Sequence, residues 1–428
     1  MVNFDAQIQV TDSFFFMRIL QLCKKFPYPL KDGESIAVTY LSHAMSQLGC
    51  DVSLLSMNTT KHYMDINLLP EEYNHYKEIH VTKLDNQVNA IDAFRNLFSK
   101  DSYHVSRFVC SEFTDKLIEL LKKNDYDVVQ LETLYLAPYI NIIKAHSNAL
   151  VTMRAHNIEF EIWERISNNT SFLPKRWYLK YLTSKLKRFE LGKLNEYDYL
   201  ISVSERDLLK FKDLGYKNGA ISSPIGLDLK NYIKIPKKQS YLQDLCFIGA
   251  LDWRPNLEGL QWFLEKVWPL VHSSFPEIKL HVAGRNTPPE IANLKVKNVV
   301  IHGEVSDAVE FINTYGMMVV PLFSGSGMRV KILEGMALSK VVITTTLGME
   351  GIDAEDGKEI LIADNPQAFL DKISAVLSGK IHAETMGKNA LEFVKEYYDH
   401  ANNAKKLIEK YQYLKENPHY QKQRVIIS

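Results

Sequence analysis

Short apolar runs alternate with helical patterns along almost the whole chain, and that alternation admits few folds other than parallel sheets covered by helices on both faces. In the first half, strands are expected at Arg18 to Cys23, Asp51 to Met57, Glu78 to Thr82, Asp127 to Leu131, Ala149 to Arg154 and Tyr199 to Val203. Helices fall between them, notably Ser35 to Leu48 and Ser111 to Lys123. The second half repeats the pattern with strands at Asp244 to Ile248, Lys279 to Val282, Val299 to His302, Met317 to Pro321, Val341 to Thr344 and Ile360 to Ile362. The chain of 428 residues exceeds one ordinary core and suits two doubly wound α/β domains. Turn formers and lysines from Ser222 to Gln243 interrupt the hydrophobic pattern and mark the boundary. The expected divisions are a tail over 1–16, domains over 17–225 and 226–395, and a closing helix and tail over 396–428.

The stretch from Met317 to Ala337 reads as buried strand, glycine loop and helix start. Its loop, Ser324-Gly325-Ser326-Gly327, lacks bulky side chains, so backbone N–H groups can approach a phosphate, and the next helix points its partly positive end at the same place. Lys331 adds a mobile cation about one turn in. Glu334, three residues on, shares its helical face, where a carboxylate near phosphates makes sense as an acceptor of hydrogen bonds from hydroxyls. Phosphate plus hydroxyls implies a nucleotide-sugar.

Composition excludes several classes. With 46% hydrophobic and 24% charged residues the chain is globular, and 51 basic residues balance 51 acidic ones, so no nucleic-acid partner is expected. Cys23, Cys50, Cys110 and Cys246 are scattered without a Cys-x-x-Cys pair, which argues against structural zinc and for reduced thiols in the cytoplasm. No apolar stretch approaches the roughly 20 residues of a spanning helix, and Phe14 to Cys23, broken by Arg18, lacks the flank of a signal peptide. Neither a Ser-His-Asp triad nor a Walker-type loop nor a dinucleotide fingerprint is present.

Several separated segments carry a family resemblance: Phe26 to Gly33, Arg154-Ala-His-Asn-Ile-Glu159, Gly249 to Asn256, Val282 to Asn286 and Ser326 to Ala337. In that order, over about Met17 to Asn402, the chain resembles the retaining, metal-independent glycosyltransferases of family 4, whose GT-B architecture sets two Rossmann-like domains face to face. Their usual first glutamate is Ser326 here and the second is Glu334, as in a branch whose loop runs Gly-Ser-Gly-x-Arg-x-Lys-x-Leu-Glu, with Met328 at the usual threonine. The resemblance implies an acceptor-side first domain, a donor-binding second domain, a last helix crossing back as a clasp, and no cofactor or metal. It implies that Gly33 reaches the donor diphosphate, although Glu34 stands where a second glycine is usual.

His156 is implied near the transferred sugar, and Gly303, Glu304 and Val305 around the nucleotide base. Ala250 replaces a frequent arginine after Gly249, which leaves Arg254, Arg285 and Lys331 as cations for the diphosphate beside the amides of Ser326, Gly327, Met328 and Arg329. Asn256 either caps the following helix or faces the cleft. Gly33, His156, Gly249, Arg285, Gly303 and Ser326 each lie just past an expected strand, where open α/β sheets bind ligands.

Between Pro174 and Lys193, the basic residues Lys175, Arg176, Lys180, Lys185, Lys187 and Arg188 interleave with Trp177 and other aromatics. Such a helix either rests on an anionic membrane surface beside a lipid-linked acceptor or is a solvated helix packed on its own domain. The expected function is transfer of a sugar from a nucleoside-diphosphate donor to a glycan or polyprenyl-linked hydroxyl, in the cytoplasm or at the inner membrane face. The alternatives are a nucleotide-sugar 2-epimerase of the same fold and a non-catalytic nucleotide or glycan binder.

Overall fold

A computed structural model describes residues 16–30, 33–86, 96, 99, 101–233, 243–324 and 329–417. The tail over 1–15 and the glycines of the second-domain loop, 325–328, lie outside these.

The first sheet contains β1 (Arg18–Cys23), β2 (Asp51–Thr59), β3 (Glu78–Leu84), β4 (Val128–Leu131), β5 (Leu150–Ala155), β6 (Tyr199–Ser202) and β7 (Gly219–Ser222). Their spatial order is β3-β2-β1-β4-β5-β6-β7, with every pairing parallel. The second sheet contains β8 (Leu245–Ile248), β9 (Leu280–Ala283), β10 (Val299–Gly303), β11 (Met317–Val320), β12 (Val341–Thr344) and β13 (Leu361–Ile362), in the order β10-β9-β8-β11-β12-β13, again all parallel. The expected architecture of two facing Rossmann-like domains is what the chain adopts. Most expected strand ends lie within two residues of those observed. β7 was not expected, and it carries the first domain up to the turn formers at Ser222.

Both faces of each sheet are buried, which is why the strands read as continuous apolar runs. In β1, Leu20 and Leu22 enter one core while Ile19 and Cys23 enter the other. In β11, Met318 and Val320 face one core and Met317 and Val319 the opposite one.

The chain closes with two helices, Ala383–Tyr397 and His400–Glu416, separated where Asp399 caps the second through the Asn402 N–H at 2.8 Å. The last helix crosses back to the first domain. Its Ala404, Leu407, Ile408, Tyr411 and Leu414 complete the core that holds Val38, Leu41, Ala44 and Met45 of α1 (Gly33–Gln47).

In each sheet the strand order reverses direction once, between β1 and β4 and between β8 and β11. Ligand crevices open at the carboxyl ends of such strands.

The helix α2 (Arg254–Trp262) packs closely on the chain leaving β11. A Cβ on its Gly259 would stand 1.8 Å from the Pro321 carbonyl oxygen. Gly259→Ala should therefore destabilise the protein by about 1–3 kcal/mol through overpacking, although alanine alone favours a helix by about 1 kcal/mol. Urea denaturation checks this, and an unchanged or raised midpoint would contradict the packing described.

Candidate active site

The two crevices face one another across a cleft of about 810 Å³. Lys24 and Thr133 line it past β1 and β4, and Ala250 and Arg329 line it past β8 and towards the helix after β11. Gly33, His156, Asn256, Arg285 and Lys331 line it as well, so five widely separated residues from the sequence analysis meet there.

The second-domain wall is built on close backbone approach. A Cβ on Gly249 would lie 2.7 Å from Asn256 Nδ2, so glycine leaves room for that side chain to fold back. Asn256 is not the helix cap, a position held by Trp253. Its Nδ2 donates to the Ala250 carbonyl at 2.9 Å, and its Oδ1 accepts from Lys331 Nζ at 2.7 Å. Lys331 sits in the first turn of α3 (Val330–Ala337), its ammonium 5.2 Å from the centre of the Phe247 ring. It is therefore a fixed cation, not the mobile one expected. Burial pushes its ammonium down to about 7, with Arg329 adding to the fall and Glu334 opposing it.

Arg329, the residue before α3, is buried and lies 5.8 Å over the Trp253 ring. Burial lowers its guanidinium from the usual value, and the charge of Glu350 opposes the fall. Glu334 accepts from Tyr232 OH at 3.0 Å, and burial raises its carboxyl against the pull of Tyr232 and Lys331. It stands one turn behind Lys331 and is not among the residues lining the cleft.

Other candidates sit apart from this cleft. Arg254 is highly exposed and paired to Glu258 at 2.6 Å, one turn along its own helix, and it does not line the cleft. Gly303 adopts φ +68°, so its glycine answers a backbone need, while Glu304 is exposed and Val305 packs against the second-domain core. None of these three lines the cleft. Ser326, Gly327 and Met328 lie outside the described residues.

On the first-domain wall, Glu34 forms an ion pair with Lys24 at 3.1 Å, so its charge is compensated within the cleft. His156 follows β5, and its Nε2 lies 3.3 Å from Oε2 of Glu132, a fully buried carboxylate just past β4. Glu132 also receives Gln21 Nε2 at 2.6 Å, Gln130 Nε2 at 2.5 Å and an Arg154 guanidinium nitrogen at 3.4 Å. Burial alone would raise its carboxyl, but Arg154, His156 and Gln130 together hold it below the usual value.

Glu159, at the start of α4 (Glu159–Asn168), is also buried and accepts from Tyr135 OH at 2.8 Å. The Glu159 and Phe160 amides donate to Glu190 at 3.1 and 3.0 Å, and burial pushes the Glu190 carboxyl up to about 8. Sequence reasoning singled out neither Glu132 nor Glu190. For Glu132 a signal existed: a lone carboxylate ends the apolar run Val128-Val-Gln-Leu131 at the ligand-binding end of a strand.

The basic helix α5 (Leu173–Lys193) divides its cations. Lys185 is buried and donates to the Asn96 carbonyl and, at 3.3 Å, to its side-chain oxygen, so it cannot serve a surface. Lys187 pairs with Glu164 at 3.4 Å. Lys175, Lys180 and Arg188 stay exposed, as do Phe172, Leu173 and Trp177, the last 76% accessible. No helix among the described residues is long and apolar enough to cross a membrane. Nor does any cluster of three or more His, Cys, Asp or Glu among them suit a metal ion.

Comparison with known proteins agrees with this fold. A 44.6 kDa protein from a cps region of Klebsiella pneumoniae is 24% identical over 391 residues, 89% of this chain and 96% of its own length. Sucrose-phosphate synthase from Thermosynechococcus elongatus shares the fold with a TM-score of 0.65 at 16% identity, covering 93% of this chain and 99% of its own. HepE of Anabaena, solved in complex with UDP-glucose, aligns at a TM-score of 0.60 and 13% identity over 93% of this chain and 100% of its own. Residues 243–379, most of the second domain, match the family Glycosyl transferases group 1, and with the two-domain GT-B fold this match supports a glycosyltransferase.

Proposed function

We propose that the protein is a retaining, metal-independent glycosyltransferase that moves a sugar from a nucleoside-diphosphate donor to a hydroxyl of a glycan or lipid-linked acceptor. The observation that carries this reading is the asymmetry of the cleft. Its second-domain wall presents Arg285, Arg329 and Lys331 against one carboxylate, Asp252, whereas Lys24 on the first-domain wall is matched by Glu34 and joined by Glu159. A diphosphate belongs on the first of these walls and neutral sugar hydroxyls on the second. HepE with UDP-glucose and the cps-region relative support a nucleotide-sugar donor and a polysaccharide product.

In this reading the acceptor oxygen bonds to the anomeric carbon on the face from which the nucleoside diphosphate departs. The diphosphate leaves with the electron pair of the broken C–O bond, and its phosphate oxygen takes the hydroxyl proton. Arg329 and Lys331 stabilise the charge that builds on the leaving group. Glu334, behind Lys331, holds nucleotide hydroxyls with the oxygen that Tyr232 leaves open, and His156 meets the transferred sugar. Each of Lys331→Ala, Glu334→Ala and His156→Ala should lower kcat/KM by at least about tenfold in a folded protein, the loss of roughly one charge-assisted hydrogen bond. Activity should survive EDTA, and NMR should find the product with the donor's anomeric configuration. Loss in EDTA restored by magnesium, or an inverted product, would overturn the assignment.

Lys331 should couple donor binding to protons. Because burial holds its free value at about 7, Lys331 in the empty site is largely neutral above that pH, and an arriving diphosphate restores its proton. Donor affinity is thus greatest below pH 7 and falls as pH rises through it. A nucleotide-sugar does not itself titrate between pH 6 and 9, so calorimetry in buffers of different ionisation enthalpy should read proton uptake at pH 8. Lys331→Met should abolish that uptake.

A lipid-linked acceptor is supported by the exposed Trp177, Phe172 and Leu173 beside Lys175 and Lys180 on one helix and its approach. Each cation near an anionic surface contributes about 1 kcal/mol. Changing Lys175, Arg176, Lys180 and Arg188 to glutamate should abolish co-sedimentation with anionic vesicles and leave donor binding unchanged. Retained sedimentation, or none by the wild type, would remove the membrane contact.

A further inference from the structure

The chemistry expected of His156 depends on which ring nitrogen carries the proton, and the buried groups behind it make that choice. Glu132 Oε1 receives the side-chain amides of Gln21 at 2.6 Å and Gln130 at 2.5 Å. Turned round, either amide would set its oxygen against the carboxylate. Gln21 Oε1 accepts from Tyr76 OH at 3.0 Å, and Gln130 Oε1 accepts from Tyr411 OH at 2.7 Å, so in each the NH2 group is the half left facing Glu132. Oε2 receives the Arg154 guanidinium at 3.4 Å, itself anchored on the Ala37 carbonyl at 2.9 Å. Three fixed donors therefore surround the carboxyl group. Nothing among them accepts a proton from it, and Glu132 is held as a carboxylate that can only accept.

His156 Nε2 is the fourth group on this carboxylate, 3.3 Å from Oε2, and facing an acceptor it must donate. In the neutral ring Nδ1 then carries the lone pair. Nδ1 has no protein hydrogen-bond partner among the described residues, and the ring lines the cleft.

We propose that Glu132 is a positioning residue that fixes His156 in its Nε2–H form, so that the Nδ1 lone pair faces the cleft and accepts a hydrogen bond from a sugar hydroxyl. The role of the hydroxyl rests on the glycosyltransferase reading, but the tautomer does not. A ring held the other way would offer the cleft a donor, and a hydroxyl would have to meet it with its oxygen. Glu132 thereby selects the orientation of the hydroxyl as well as that of the ring.

The test reads the ligand-free protein first. Long-range 1H–15N correlation on histidine-labelled wild type, with the His156 signals identified by their loss in His156→Gln, should show the proton on Nε2 and an unprotonated Nδ1. Glu132→Gln, whose amide can present either a donor or an acceptor, should weaken that preference and lower kcat at least tenfold while donor KM changes less than about threefold. Glu132→Asp, which keeps the charge, should retain the Nε2–H signature and recover part of kcat. A wild-type ring protonated on Nδ1 overturns the proposal, and so does a folded Glu132→Gln protein with unchanged kcat or with lost kcat and an unchanged tautomer. If the glutamine variant does not fold, the wild-type spectrum and the aspartate variant still decide. An Nε2–H ring in a protein that turns over no nucleotide-sugar would support the positioning role and remove the transferase reading alone.

Discussion

Two chain crossings joined by backbone hydrogen bonds set the relation of the domains. The Leu227 N–H donates to the Tyr398 carbonyl at 2.7 Å, and the His400 N–H donates to the Leu227 carbonyl at 3.1 Å. The outgoing strand and the returning helix thus run side by side at one place, and a Cβ on Gly226 would meet the His400 backbone at 2.4 Å. With both crossings fixed there, the two sheets present their carboxyl ends to each other. Across the opening, Glu350 of the second domain meets Arg165 at 3.2 Å and Arg206 at 3.0 Å. These pairs are partly exposed and individually weak. Ion pairs of this kind join the two rims without locking them.

Within that cleft, the buried cations of the second-domain wall are only partly compensated. Enclosing Lys331 so that its ammonium falls to about 7, beside a buried Arg329, is unfavourable for the empty protein. Asn256 offsets part of this by offering Lys331 a neutral oxygen, and Glu334 offsets part by its charge. Neither gives the pair the full countercharge that a diphosphate would bring. The first-domain wall has the opposite arrangement, with Lys24 satisfied by Glu34 and lying 4.5 Å from the Tyr135 ring centre. An anion entering between the walls meets one prepared to attract it and one already neutralised.

Much of this was legible in the sequence because sheet strands buried on both faces leave a periodic trace. The apolar runs at Arg18, Val128 and Met317 were read almost to their ends; His156 and Arg285 lie just beyond such runs, and Lys331 was read from the glycine loop and helix start after Met317, while the role of His156 came from the family resemblance. The four-residue β7, Gly219-Ala-Ile-Ser222, left no comparable trace, since a short half-buried edge strand with a glycine needs no apolar run. Direction within a helix was equally hidden. Arg254 and Lys331 looked alike as cations near glycines, yet one turns outward to Glu258 and the other inward to Asn256. Lys185 and Lys180 likewise sit on one helix five residues apart, and only tertiary packing brings Asn96 to the first. Glu132 was overlooked for a related reason. Its partners Gln21, Gln130, Arg154 and His156 come from three strands and their loops, and no local pattern records that they converge.

The last helix belongs to that convergence. Tyr411 packs its ring in the first-domain core and gives its hydroxyl proton to Gln130, which orients the amide that faces Glu132, which in turn receives His156. A helix that served only as a clasp would need apolar residues here, and phenylalanine would bury as well without a polar group to satisfy. A hydroxyl at this position stabilises the fold only if its partner is present, so the network ties ordering of the C-terminal helix to the geometry of the cleft. The returning helix therefore does two jobs with one face: Leu407, Ile408 and Leu414 hold the domains to a common frame, and Tyr411 closes the hydrogen-bond chain that ends at the imidazole.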